Sequence, residues 1–280
     1  MTCAHLGWFA DKRCFLRVNT LQELWQFRSY ILGSIGRDFN LRYKGSVLGA
    51  ALVFLVPAFQ ISLYVLVFGN LLKGRLPGNP TLYGYSIYLC SGILFWNLFA
   101  ELLQRTQSLY LENANLLKKT AFPSGALSVV NFASASINLA LALAVLLLYL
   151  VITAPMPGWQ IMGLIFVWLA VALLALSLGL CIAVLQVFFR DFGALTAIAL
   201  QALFWCTPIV YPVQILPPWL PFWLQFNPLF APVSTAQALM LGAPLPAATT
   251  WTSTVLCCAI AMLLAARLYR QHYSDLMDSL

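Results

Sequence analysis

Residues 120–189 read TAFPSGALSVVNFASASINLALALAVLLLYLVITAPMPGWQIMGLIFVWLAVALLALSLGLCIAVLQVFF and contain no Asp, Glu, Lys, Arg or His. Residues 192–266 are free of all five as well, so two uncharged tracts meet at a lone Arg190-Asp191 pair. A hydrocarbon layer about 30 Å thick is crossed by about 20 helical residues. Each tract is therefore too long for one crossing and long enough for two, joined by an uncharged turn. Arg190-Asp191 then marks a return to water.

Composition points the same way. Of 280 residues, 62% are hydrophobic and 8% charged, against the ~25% charged that is usual in soluble domains; mean hydropathy is +0.87. Cys90, Cys181, Cys206, Cys257 and Cys258 lie in apolar stretches without the spacing of a zinc or redox motif, and read as small buried apolar residues. His5 and His272 stand alone near the ends, so no metal site is expected. Asp11, Lys12, Arg13 and Arg17 interrupt the apolar core that a cleavable signal peptide needs. Targeting falls to the first span.

The expected fold class is an all-α membrane protein with six transmembrane helices. An uncharged run over 46–72, with Pro57 inside it, gives span one. The turn-rich stretch from Lys73 to Pro80 separates it from span two, 82–100. Spans three and four cover 126–153 and 159–189, and span five 193–211. Eight prolines between 212 and 246 exclude one straight helix there. Because unpaired backbone cannot face lipid, that segment is expected to form short re-entrant or interfacial helices, with Trp219, Phe222, Trp223 and Phe226 at interfacial depth. Span six is 249–266, and the transmembrane domain as a whole is 46–267.

Ahead of span one lies a cytoplasmic tail, 1–20, and then a helical stripe over 21–37 formed by Leu21, Leu24, Trp25, Ile31, Leu32 and Ile35. Thr20 with Glu23 fits a capping box at its start. Glu23 and Arg28 argue for an amphipathic helix lying in the interface rather than a span. With six spans, the N-terminal side collects 13 of the 15 Lys and Arg residues, leaving Lys73 and Arg75 opposite. The positive-inside rule then places both termini, including the tail 268–280, in the cytoplasm. The +7 charge follows from topology and does not call for nucleic acid.

Catalytic groups are sparse. Lys44-Gly45-Ser46 lacks the upstream glycine and the strand-to-helix context of a phosphate-binding loop, so this chain does not hydrolyse ATP by itself. Glu101 is the only carboxylate near the membrane interior, and it sits one turn from Arg105, within reach of an ion pair. Ser128, Asn131, Ser134 and Asn138 follow one face of span three. Such a stripe faces protein or water, either as helix-helix contact or as the lining of a path. Tyr85, Tyr88, Phe95, Trp96 and Phe99 give span two an aromatic density that suits either packing or stacking on sugar rings. The loop from Glu112 to Pro123 mixes charges with Leu116, Leu117 and Phe122, as a partner-docking helix does.

Several motifs in one order carry a resemblance: Arg37-Asp38-Phe39 with Arg42 to Gly49, Tyr85 to Gly92, Glu112 to Lys119, Phe188 to Asp191, Thr207 to Pro212, and Asn227-Pro228-Leu229. Over roughly 25–270 the chain resembles the membrane subunit of type-2 ABC exporters, and more narrowly permeases that export O-antigen polysaccharide. The resemblance implies a homodimer in a bacterial inner membrane, with two copies of a separate ATPase that binds ATP and Mg. It implies no cofactor in this chain. It makes Glu112, Asn113, Asn115, Leu116, Leu117, Lys118 and Lys119 the coupling helix, with Trp25, Arg28, Arg190 and Asp191 also toward the ATPase.

The implied cargo is a glycan on undecaprenyl diphosphate, for which Arg37, Arg42 and Lys44 stand at the entry and Tyr85, Tyr88, Phe95, Trp96, Phe99, Asn131, Ser134 and Asn138 along the path. Capsule or teichoic-acid export is the alternative within the family. A drug exporter and a membrane enzyme acting on lipid-linked sugars are further readings, the last needing clustered Asp, Glu or His that the spans lack.

Overall fold

A computed structural model describes residues 25–43, 49–67, 84–119, 124–153 and 158–279. Outside them lie the N-terminal tail, the Thr20/Glu23 cap, Leu21 and Leu24, Lys44, both ends of the expected first span, the Lys73 to Pro80 loop, Phe122 and Pro123. The described residues are helical, with no strand. In chain order the helices are α1 (Arg28–Tyr43), α2 (Gly49–Tyr64), α3 (Gly84–Gln107), α4 (Leu109–Glu112), α5 (Ala114–Lys119), α6 (Ser124–Thr153), α7 (Gly163–Phe188), α8 (Phe192–Cys206), α9 (Leu220–Leu224), α10 (Phe230–Leu241) and α11 (Trp251–Ser279).

Among the described residues, four stretches are long and apolar enough to cross a membrane: Gly84–Gln107, Ser124–Ile152, Trp159–Phe188 and Ala248–Gln271. They match four of the six expected spans. The other two expected spans fall on shorter helices. α8 stops at Cys206 because Pro208 follows: Thr207, the residue before the proline, is extended at φ −105° and ψ 134°. Its 15 residues reach about 22 Å at 1.5 Å each. α2 has 16 residues and carries Pro57 within it. Two boundaries also move outward. α3 continues past residue 100 through Glu101 and Arg105, and α11 runs on into the C-terminal tail.

α3 is the axis of the bundle, packed against α6, α7 and α10, with α11 laid on the far side of α7. Every residue from Gly84 to Trp96 is buried. Two glycines bring neighbours this close. A Cβ at Gly179 on α7 would stand 2.7 Å from Thr106 Cβ, and one at Gly92 would stand 2.7 Å from the Gln237 amide nitrogen. Small residues at such crossings let backbones approach where hydrocarbon offers helices no hydrophobic incentive to associate.

The proline-rich stretch after α8 forms short pieces, as expected: a 3-10 turn over Val213–Ile215, then α9 and α10. Its irregular carbonyls need donors, because lipid supplies none. Tyr88 donates its hydroxyl to Pro208 O at 2.9 Å and Tyr211 O at 3.1 Å, and Tyr85 donates to Val210 O. Gln237 Nε2 donates to Pro208 O at 3.2 Å through the gap left by Gly92. Asn227 Nδ2 donates to Cys206 O and Thr207 Oγ1, while Thr254 donates to Pro228 O at 2.7 Å. Three of the motif segments, around Tyr85, Thr207 and Asn227, thus meet in one network. The aromatic-rich face of α3 serves it: Phe95, Trp96 and Phe99 are buried alongside Tyr85 and Tyr88.

Removing one donor tests this reading. Tyr88→Phe takes the hydroxyl from the Tyr211 carbonyl and leaves Pro208 O with Gln237 alone, and is expected to lower stability by about 1–2 kcal/mol, seen as a lower unfolding midpoint in detergent. An unchanged midpoint contradicts the assignment.

Candidate functional site

One end of the bundle gathers the charged residues. There α1, α4, α5, α6, α7 and α11 meet over a second apolar core of Leu109, Tyr110, Leu117, Leu127, Ala183, Val184 and Val187, with Tyr30, Leu268 and Tyr269 against it. Tyr110 and Tyr269 stack with ring centroids 6.1 Å apart. This core sets Arg28, Glu112, Lys118, the Arg190-Asp191 turn and Arg267 at the same end. Residues 207–250, at the opposite end, contain no charge.

Asn113 makes the turn between α4 and α5. Its Nδ2 donates to Leu109 O at 2.9 Å, and its own carbonyl accepts from Leu116 N and Leu117 N at 3.0 Å each. The two leucines then turn inward, Leu117 fully and Leu116 in part, against the protein's own core. Glu112, Asn115 and Lys118 remain exposed, spaced by three along one face. The outward face of the segment is thus polar. The leucines that drew attention in the sequence hold it to the body. Lys119 lies in α5, and its side chain is outside the described residues. Arg190 and Asp191 form an exposed tip between α7 and α8, flanked by Phe188 and the 62% exposed Phe189.

Behind this surface three helices are tied by one arginine. Arg105 Nη1 donates to Asp38 Oδ2 on α1 at 2.8 Å, and Arg105 Nε lies 3.0 Å from Glu101 Oε1 one turn earlier. The polar stripe of α6 closes the arrangement. Ser134 donates to Asp38 Oδ2 at 3.2 Å, Asn138 Nδ2 to Glu101 Oε1 at 2.7 Å, and Asn131 Nδ2 to the Arg105 carbonyl at 3.1 Å. Charges withdrawn from water persist only when paired and hydrogen-bonded, and α6 supplies the missing donors. Asp38 was not singled out in the sequence beyond its place in the Arg37-Asp38-Phe39 motif. The only available signal was a lone carboxylate in an apolar-facing helix.

Arg37 points elsewhere: it donates to Ser34 Oγ at 2.7 Å and lies over the Tyr30 ring at 5.5 Å. Arg28 sits over Trp25 at 5.0 Å and donates to its carbonyl at 3.1 Å. Trp25 itself is 70% exposed. Arg42 is in α1 with its side chain outside the described residues. Between α1, α3 and α6, beside the Arg105 cluster, is an open polar cleft of about 870 Å³ that Asn97, Gln104 and Asn131 help to line.

A model of the ABC-2 type transporter family matches residues 31–241 of the chain. The chain belongs to this family. It is a multi-pass integral membrane protein and a transport subunit rather than an enzyme. Curated relatives include an "O-antigen export system permease protein RfbA" from Myxococcus xanthus, 23% identical over 265 residues that cover 94% of this chain and 100% of the relative. A protein of the same name from Klebsiella pneumoniae is 22% identical over 210 residues, covering 75% of this chain and 79% of the relative. A second Klebsiella pneumoniae protein of that name is 22% identical over 206 residues.

The tether from Arg105 to Asp38 predicts local behaviour. Asp38→Ala removes the only carboxylate of α1 and is expected to speed amide hydrogen exchange in α1 at least tenfold, a local-stability loss of about 1.4 kcal/mol. Exchange in α6 and α7 is expected to stay within about twofold. Unchanged protection of α1 contradicts the tether.

Proposed function

We propose that the chain is the permease subunit of an ABC exporter that moves lipid-linked polysaccharide of the O-antigen type from cytoplasm to periplasm. A separate ATPase, bound in two copies to a homodimer of this chain, supplies the energy and holds the ATP and Mg. The membrane is a bacterial inner membrane. α2 and α8 complete the six spans, and both termini are cytoplasmic. The O-antigen export for which the three relatives are named supports the cargo class.

The observation that carries the coupling role is the joint placement of the 109–119 segment and the Arg190 turn over one apolar core. A force applied to Glu112, Asn115 and Lys118 from outside is transmitted through Leu109 and Leu117 to Val184 and Val187 of α7, and from there to the bundle axis. Packed cores pass on displacement because they are dense and weakly compressible. Trp25 and Arg28, at the same end, extend the docking face. Arg37, Arg42 and Lys44 meet the diphosphate of the undecaprenyl carrier at the entry with charge-assisted contacts.

Reversing two exposed charges tests the docking face. Glu112→Lys with Lys118→Glu leaves the inward leucines in place and is expected to cut co-purification of the ATPase at least tenfold, about 1.4 kcal/mol, with normal membrane insertion. Full retention of the ATPase, or no ATPase with the unaltered chain, contradicts the proposal.

A further inference from the structure

The cleft between α1, α3 and α6 has a chemistry of its own. α3 is buried from Gly84 to Trp96, and Asn97 is its first exposed residue. Asn97, Glu101, Gln104 and Ser108 follow at spacings of four, three and four, so they share one face of the helix. All four line the cleft. The side-chain amides of Asn97 and Gln104 are exposed and have no hydrogen-bond partner among the described residues. Asn97 lies ten residues before the end of α3, about 15 Å along the axis. An unsatisfied amide at such a depth is costly in hydrocarbon, so the cleft carries water, or something that replaces water, to that level.

Charge decides what that is. The lining holds two arginines, Arg37 and Arg105, against three carboxylates, Asp38, Glu101 and Glu112. Arg105 is already shared by two of those carboxylates, and Arg37 is engaged by Ser34 and Tyr30. Along α3 the lining offers a diphosphate no cation but the already paired Arg105, while Arg37 stands on α1. Amides and carboxylates arranged along a helix face are instead suited to hydroxyl groups. A carboxylate accepts from O–H in a short, charge-assisted bond, and an amide both donates and accepts. The volume, about 870 Å³, lies in the upper part of the ~300–1,000 Å³ range of small-molecule clefts.

We infer that this cleft binds uncharged sugar units of the transported glycan through their hydroxyls, at Asn97, Glu101 and Gln104, apart from the cations that meet the carrier's diphosphate. The inference rests on the reading of the chain as a glycan exporter. It divides recognition of the cargo between two places within one subunit: phosphate charge at the N-terminal end of span one, sugar hydroxyls along α3.

The experiment uses the purified permease–ATPase complex in lipid vesicles, with two probes: lipid-linked polysaccharide extracted from the producing cells, and undecaprenyl diphosphate alone. Asn97→Ala with Gln104→Ala removes two amides from exposed positions. It is expected to raise the concentration of lipid-linked polysaccharide giving half-maximal ATPase stimulation about tenfold, as the loss of two hydrogen bonds implies. The response to undecaprenyl diphosphate is expected to shift less than twofold. Equal shifts for both probes, or no shift for either, overturns the inference while leaving the exporter assignment standing. An unaltered complex that the polysaccharide does not stimulate overturns the exporter assignment and this inference together.

Discussion

A backbone carbonyl or a charged group facing hydrocarbon without a partner costs several kcal/mol, and the organisation of this chain follows from meeting that constraint. Helices meet it by themselves. Where prolines forbid a helix, side chains must do so, and Tyr85, Tyr88, Asn227, Gln237 and Thr254 all donate to carbonyls in or beside the segment between α8 and α11. The cost of irregular backbone is thus met by polar groups on α3, α10 and α11 and by Asn227 within the segment itself. Gly92 belongs to the same solution, since a Cβ there would stand 2.7 Å from the Gln237 amide nitrogen and force it to shift.

The same constraint acts on charge. Glu101 and Arg105 extend α3 beyond its purely apolar part, and neither is left alone: each is bonded to the other, and α1 and α6 complete the set through Asp38, Ser134 and Asn138. α1 is thereby locked to the helix at the centre of the bundle. Movement of α1 and movement of α3 are coupled through one guanidinium, half a bundle away from the network around Tyr88. The first ties the charged end together; the second ties the uncharged end.

Much of this was legible in the chain. The uncharged tracts mark the long helices, because charge is excluded from lipid whatever the tertiary fold. The Arg190-Asp191 pair is a turn for the same reason, and the 3,3,4 spacing of Ser128, Asn131, Ser134 and Asn138 identifies a face that needs partners. What the pattern left open was which partners. Asp38 is distant in sequence from Ser134 and Arg105, and no periodicity links them. Tyr85, Tyr88, Phe95, Trp96 and Phe99 are as rich in aromatic rings as a sugar-stacking wall, but their burial depends on α7 and α10 arriving from later in the chain. Leu116 and Leu117 show the same limit: an apolar residue in a charged loop faces either a partner or its own core, and only the packing of Val184 and Val187 selects the second. Asn97 and Gln104 were invisible to periodicity because their neighbours on α3 are polar and apolar alike.

The central claim is that the end holding the 109–119 segment and the Arg190 turn faces the cytoplasm, and that the end with Trp219 faces the periplasm. Thiol labelling measures it directly. In a chain whose seven native cysteines are replaced by alanine, single cysteines at Arg190 and Trp219 are treated with a membrane-impermeant maleimide in intact spheroplasts. The account predicts labelling of the Trp219→Cys chain and protection of the Arg190→Cys chain until the membrane is permeabilised. Labelling of Arg190→Cys in intact spheroplasts contradicts it.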